Sequence, residues 1–236
     1  MSEVKSLYGT RSSRYWSEMP GKMDVLNLRM IFPSSSPEGI PDLKRCDGWV
    51  PDFLGAWHMP RQRERAAREN GALHFFLDDY RFENAFSSPE RVVGRVLKVG
   101  GALEPNFSLY YDMPRAAKVW NTYRTRWCGA YWQSLGVKVI PTAVWARSDT
   151  FEYCFDGIPQ GGPVAISTLG VRAEAEDIAI FNDGLRELVD RVEPSVILCY
   201  GKLRYVPDSV TLPEVREYPT FWDVRRNELK AANGAG

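Results

Sequence analysis

Short continuous apolar runs punctuate this chain from residue 72 onward: ALHFFL (72–77), NFSLYY (106–111), VKVIPTAVWA (137–146), PVAISTLG (163–170) and SVILCYG (195–201). Runs of this length, rich in β-branched and aromatic residues, predict strands buried on both faces. The stretches between them carry apolar residues every three or four positions. In 113–136 the stripe is Ala116, Val119, Trp120, Tyr123, Trp127, Ala130, Tyr131 and Leu135; in 174–194 it is Ile178, Phe181, Leu185, Leu188, Val189 and Val192. That spacing predicts amphipathic helices. A third helix is expected over 87–100, with Ser87 or Ser88 at its cap, Pro89 in its first turn and a closing glycine.

The pattern is weaker before residue 70. VLNLRMIF (25–32) and GWVPDFLGAW (48–57) are candidate strands, separated by the breaker-rich PSSSPEGIPDL. PRQRERAAREN (60–70) reads as a helix opened by Pro60, its Arg61, Arg63, Arg65 and Arg68 interleaved with Glu64 and Glu69 as on a solvated face. Residues 1–24 read as an N-terminal arm, 25–205 as one domain, and 206–236 as a C-terminal extension ending in a flexible tail. Strands alternating with helices predict an α/β fold. Its mostly parallel sheet of about five or more strands is built from βα units, open and doubly wound or barrel-like. Pro141, inside the third apolar run, predicts a bulge or an edge.

In such folds sites form where strands exit, at their carboxyl ends. The residues just past each run are polar: Asp78 and Asp79 after the first, Asp112 after the second, Arg147 after Trp145, Thr168 after the fourth, and Lys202 after Tyr200. Neighbouring strand residues face opposite ways, so at most one of Asp78 and Asp79 is expected to point inward unless the chain turns. The other would cap a helix or pair with an arginine such as Arg81. Three convergent carboxylates would suit Mg²⁺ or Mn²⁺ on a phosphate-bearing substrate, and two would suit acid–base work on a glycosidic bond. On the aromatic helix, Arg124 and Arg126 are candidate phosphate contacts, although one of them should face the core and need a buried carboxylate partner. Trp145 and Tyr200 are candidate stacking walls, with Thr168 and Lys202 at the same exits.

Composition narrows these readings. Lys plus Arg and Asp plus Glu are 30 each in 236 residues, so no global field draws the protein to nucleic acid or a membrane. Aromatic content of 13%, with eight tryptophans, predicts a large aromatic core, some of it free to line a cleft. The four cysteines (46, 128, 154 and 199) form no C-x-x-C pair and lie far from either histidine in sequence. Buried reduced thiols and a cytoplasmic protein are expected rather than a zinc site. Any histidine base must be His58 or His74, and His74 lies mid-strand, where packing is the expectation. There is no P-loop, no G-x-G-x-x-G, and no nucleophile elbow at Ser167 or Thr168.

FFLDDYRFE, PNFSLYYDMP, NTYRTRWCGAYWQSLGVKVIPTAVW, CFDGIP, VAISTLG and CYG together resemble a family of bacterial and phage proteins known as a domain of unknown function. The resemblance covers about residues 25–202. It implies a compact single domain and a link to phages and mobile elements, but no particular reaction. Three functions stand open on the residues: an enzyme acting on a nucleotide or nucleic acid through Asp78, Asp79 and Asp112 with Mg or Mn; a non-catalytic module binding nucleic acid or protein through the aromatic helix and the arginine strip; and a glycoside-type hydrolase.

Overall fold

The computed structural model describes residues 24–171, 174–204, 206–207 and 209–233. Its strands are β1 (Phe53–Ala56), β2 (Gly71–His74), β3 (Gly101–Leu103), β4 (Lys138–Ile140), β5 (Pro163–Ser167), β6 (Val196–Tyr200) and β7 (Glu214–Tyr218). The helices are α1 (Pro60–Arg68), α2 (Asn84–Ser87), α3 (Pro89–Val99), α4 (Arg115–Ser134), α5 (Ala175–Val192) and α6 (Phe221–Asn233). The expected helices over 60–70, 87–100, 113–136 and 174–194 all form, and α3 closes on Gly100 in the left-handed conformation.

All ladders are parallel. β1-β2-β3-β4 form one sheet and β5-β6-β7 another, joined by a single bridge between Thr142 and Ala165. Spatial order therefore follows chain order throughout, with no reversal of the kind that defines a doubly wound sheet. The joint is thin because Pro141 has no N–H to give: its carbonyl accepts from Ala165 N–H at 2.8 Å, and Ala143 N–H reaches the Ala165 carbonyl at 2.9 Å. Pro141 thus marks a break in pairing inside the sheet, not an edge.

Alternation along the strands sorts the core into an inside and an outside. Leu73, Phe75, Ala102 and Val139 pack outward with α3 and α4, and Val164, Ile166, Ile197 and Cys199 pack outward with α5. The opposite face gathers Leu54, Ala72, Leu103, Ile140, Ala165, Leu198 and Tyr218 into one cluster drawn from every strand and from no helix. Rings on strands far apart in sheet order touch: His74 of β2 lies 4.4 Å from Tyr200 of β6 between ring centroids. Only a sheet curled on itself does this, so the barrel-like alternative holds. No ladder joins β7 to β1 among the described residues; the Tyr218 hydroxyl donates across that seam to the Pro51 carbonyl at 2.5 Å.

Two expected strands are absent. Residues 25–32 form turns, with Asn27 at φ 58° and the Asp24 carboxylate accepting from Leu28 N–H at 2.7 Å and Arg29 N–H at 2.9 Å. NFSLYY (106–111) is a loop, and the third strand is the short Gly101–Leu103 just upstream. Phe107 and Leu109 are buried, which produced the strand-like pattern, but Ser108 spends its backbone groups on side chains. Its N–H goes to Asp79 at 3.1 Å and its carbonyl accepts from Asn121 at 2.7 Å. In the opposite sense, the stretch read as an extension supplies β7 and α6, and β7 pairs with β6 along its full length. Residues 1–23 of the expected arm lie outside the described residues, as do 234–236 of the tail.

One buried ion pair ties the barrel wall to α4. Glu104, one residue past β3, is 0% exposed, and Arg126 is 1% exposed. The Arg126 guanidinium donates to Glu104, to the Thr142 carbonyl at 3.1 Å and to the Cys154 carbonyl at 3.3 Å, while its Nε reaches the Asp156 carbonyl at 2.9 Å. Glu104 also accepts from Thr142 N–H at 2.9 Å, where pairing to β3 would otherwise lapse. Gly129 makes the approach possible, since a Cβ there would sit 2.5 Å from Glu104 Oε1. Arg126→Met, which strands the carboxylate, is expected to cost about 3–5 kcal/mol in denaturant unfolding, and Glu104→Leu with Arg126→Met should recover a large part of that loss.

Candidate functional site

Because every strand runs the same way, the segments after β1 to β7 open at one end of the barrel. Two adjoining clefts occupy this mouth. The first, about 620 Å³, lies over the β7–β1 seam between Leu54, His58, His74 and Asp78 on one side and Tyr200, Thr220 and Trp222 on the other. The second, about 580 Å³, is bounded by Ser108, Tyr111, Trp145, Ser167 and Asp177. Asp78, Phe76, Leu77 and Leu169 border both. Every exposed aromatic side chain among the described residues (Tyr80, Tyr110, Tyr111, Phe221, Trp222) follows a strand at this end.

The first cleft holds the chain's only two histidines. His74 is buried, and burial, with His58 nearby, lowers its pKa to about 3. Its Nδ1 accepts from Phe76 N–H at 3.3 Å, so the ring proton of this neutral imidazole sits on Nε2. His58, half-buried in the turn between β1 and α1, is also held below its ordinary pKa, first by burial and then by Arg81 and Arg63, with Asp78 opposing. Its Nδ1 is buried with no hydrogen-bond partner among the described residues. A neutral imidazole lining a cleft is a base available near neutral pH.

Tyr200 completes the floor. Its ring stacks on Phe76 at 5.2 Å and 16°. Its hydroxyl oxygen accepts from Phe221 N–H at 3.1 Å, which leaves its own proton to give, and burial raises its pKa. Phe221 is placed by a reciprocal cap in which Thr220 N–H donates to Asp223 at 3.0 Å and Asp223 N–H to Thr220 Oγ1 at 3.1 Å. Gly201 just beyond has φ 110°, and a Cβ there would meet Thr168 Oγ1 at 2.2 Å, so the turn out of β6 requires glycine.

The structure divides the sequence-predicted residues. Asp78 borders both clefts and pairs with Arg81 at 3.3 Å. Asp79 is turned away, accepting from the Ser108 hydroxyl at 2.9 Å and so tying the β2 loop to the β3 loop. Asp112 is exposed and makes no hydrogen bond among the described residues. No three His, Cys, Asp or Glu side chains among the described residues are grouped as metal ligands, so these carboxylates do not share a site. Arg124 chelates Glu83 with Nη1 at 2.8 Å from both oxygens and lies 3.8 Å over the Phe107 ring, while Arg126 belongs to the wall. Trp145 lines the second cleft, seated against Gly184 of α5, where a Cβ would meet its Nε1 at 2.1 Å. Tyr200 lines the first cleft, and Thr168 and Lys202 border a third groove beside it. Burial pushes the Cys154 and Cys199 thiols up to about 12, so neither is a ready nucleophile.

Sequence reasoning named His58 only as one of two possible histidine bases, and missed Glu104 and the residues of α6. His58 carries a faint signal in GAWHMP, where a polar ring follows a short apolar run at a strand exit. The capping box T-F-W-D at 220–223 was also readable as the start of a helix.

Two parallel sheets curled together, with clefts at their carboxyl ends, put the chain in the α/β class with a barrel-like architecture. Within it, the chain belongs to the family described as domain of unknown function (DUF4417), matched over residues 32–219, which bears out the resemblance drawn from its motifs. It is similar to the Gene 1 protein of Mycobacterium phage L5, 60% identical over 230 residues that span 98% of this chain and 100% of the relative. It is also similar to the Gene 1 protein of Mycobacterium phage D29, 63% identical over 226 residues, or 96% of this chain and 83% of the relative. No solved structure gave a significant match. No helix among the described residues is long and apolar enough to cross a membrane.

The buried histidine makes stability pH-dependent. Below about 6.5 the unfolded chain binds a proton at this position that the folded chain refuses until about pH 3. The His74 contribution is therefore complete above pH 6.5 and declines by about 1.4 kcal/mol per unit as pH falls. Glu104, which burial raises to about 7 against the pull of Arg126, acts the other way, losing stability as pH climbs from its unfolded value toward 7. Denaturant unfolding between pH 4 and 5.5 should give a slope of stability against pH about 1.4 kcal/mol per unit more positive in the wild type than in His74→Leu. Equal slopes would mean that His74 is not held neutral.

Proposed function

We propose that the protein is an enzyme of acid–base type that takes a phosphate-bearing ring compound of the nucleotide class in the cleft over the β7–β1 seam. The observation that carries this reading is the meeting of His58, His74, Asp78, Arg81 and Tyr200 in one cleft at the strand exits. Residue by residue the roles are consistent. His58, a cleft-lining imidazole held below its ordinary pKa, serves as the base. The Tyr200 hydroxyl and the His74 Nε2–H are neutral donors for a substrate oxygen. The rings of Phe76 and Tyr200 and the exposed Trp222 offer flat surfaces to a planar group. Arg65, Arg81 and Arg225 supply positive charge around it. The reading runs through proton transfer and the chain's own cations, since Asp79 and Asp112 do not join Asp78.

Nucleoside monophosphates should quench tryptophan fluorescence and raise Tm in the wild type, and Trp222→Ala should lose most of the quenching. With a turned-over substrate in hand, His58→Gln is expected to lower kcat by about 10²–10⁴-fold with little change in KM, the usual size of a general-base effect. Tm and fluorescence that ignore every nucleotide, or a His58→Gln enzyme with full kcat, would remove the basis of this reading.

A further inference from the structure

The cleft does not end at Trp222. Leu169, Thr220 and Trp222 also border a groove of about 510 Å³, which in turn shares Lys202, Arg204, Asp223 and Arg226 with one of about 470 Å³ reaching Lys230. On α6, Trp222, Arg226 and Lys230 stand at successive intervals of four and so form one stripe, about 6 Å apart along the axis. Lys202 and Arg204, from the segment after β6, form the facing wall. The groove's two carboxylates are already engaged. Asp223 caps α6 and pairs with Arg226, and Glu217 accepts from Leu203 N–H at 2.8 Å. Lys202, Arg204 and Lys230 have no ion-pair partner among the described residues. At the junction of groove and cleft, Trp222 is 66% exposed.

We propose that this groove holds the sugar–phosphate backbone of a single-stranded nucleic acid, so that the substrate of the cleft is a nucleotide within a strand rather than a free one. This rests on the reading above for the occupant of the cleft, and the groove's charge is its own support. Two basic walls with engaged carboxylates suit a line of phosphates. An exposed indole offers stacking to an unpaired base, whose face a duplex would keep stacked away. The cations sit within a trough continuous with the cleft instead of on an outward face, which favours a threaded strand over a lipid surface.

Fluorescence anisotropy of labelled dT and rU dodecamers with the full chain tests this, beside thymidine monophosphate and phosphatidylserine vesicles. Binding of either oligomer should weaken with salt at a log–log slope of about −2, three released counterions at about 0.7 each, and Lys230→Gln should flatten the slope by about 0.7. Trp222→Ala should weaken the oligomer by roughly five- to 150-fold, the loss of one stacked base. A difference between dT and rU identifies the sugar that the groove accepts. Oligomer binding no tighter than the monophosphate's, a slope unmoved by Lys230→Gln, or binding to vesicles in place of oligomers would overturn the groove. If in those cases the monophosphate still binds and His58→Gln still impairs kcat, the reading of the cleft survives. If the oligomer binds with the expected slope while the monophosphate and His58→Gln show nothing, that reading falls and the groove remains.

Discussion

A parallel sheet whose neighbours follow chain order has all its crossing helices on one side, so its other face has nothing to bury against except itself. Here that face carries Leu54, Ala72, Leu103, Ile140, Ala165, Leu198 and Tyr218. Removing it from water forces curvature, at roughly 25 cal/mol for each Å² of apolar surface covered. The curvature brings β2 and β6 into ring contact and turns a row of strand exits into a mouth. Each feature of the clefts depends on this geometry, because His74 and Tyr200 sit far apart in the sheet order and meet only across the interior.

The polar groups follow the same logic from outside to inside. Glu104 and Arg126 lie between the wall and α4, where each would be costly alone, and together they satisfy backbone carbonyls and an N–H that strand pairing leaves over at Thr142. That pairing is thin because of Pro141. The sequence therefore spends two of its charges on repairing a break made by one proline. At the mouth, His58 Nδ1 has no partner among the described residues, and Tyr200 keeps a proton. The wall keeps one such group too, since Glu104 Oε1 is buried without a hydrogen-bond partner among the described residues.

Much of the fold was legible because long periodic helices and β-branched runs each carry a single strong signal. α4 and α5 stood out through their stripes, and β5 and β6 through VAIS and VILCY. NFSLYY misled because Phe107 and Leu109 are buried without a ladder, and periodicity reports burial, not hydrogen bonding. β7 was hidden because three of the five residues of EVREY are charged, on a strand with only one neighbour. The strand-exit argument found Asp78, Tyr200 and Lys202 but grouped Asp79 and Asp112 with them, since sequence gives the position of a carboxylate and not its aim. One of Arg124 and Arg126 was expected to face the core and to need a buried carboxylate; it is Arg126. The partner, Glu104, lay in GALEP, where a strand of only three residues ends.

The thin joint at Pro141 and the unladdered seam at Tyr218 lie on different sides of the barrel. Between them the molecule is two arcs, four strands and three. Two ladder bonds join the arcs at one side, and the Tyr218 phenol bridges them at the other. The first cleft sits at the phenol bridge and the second borders the ladder joint at Ala143 and Ser167, so each cleft draws its walls from both arcs.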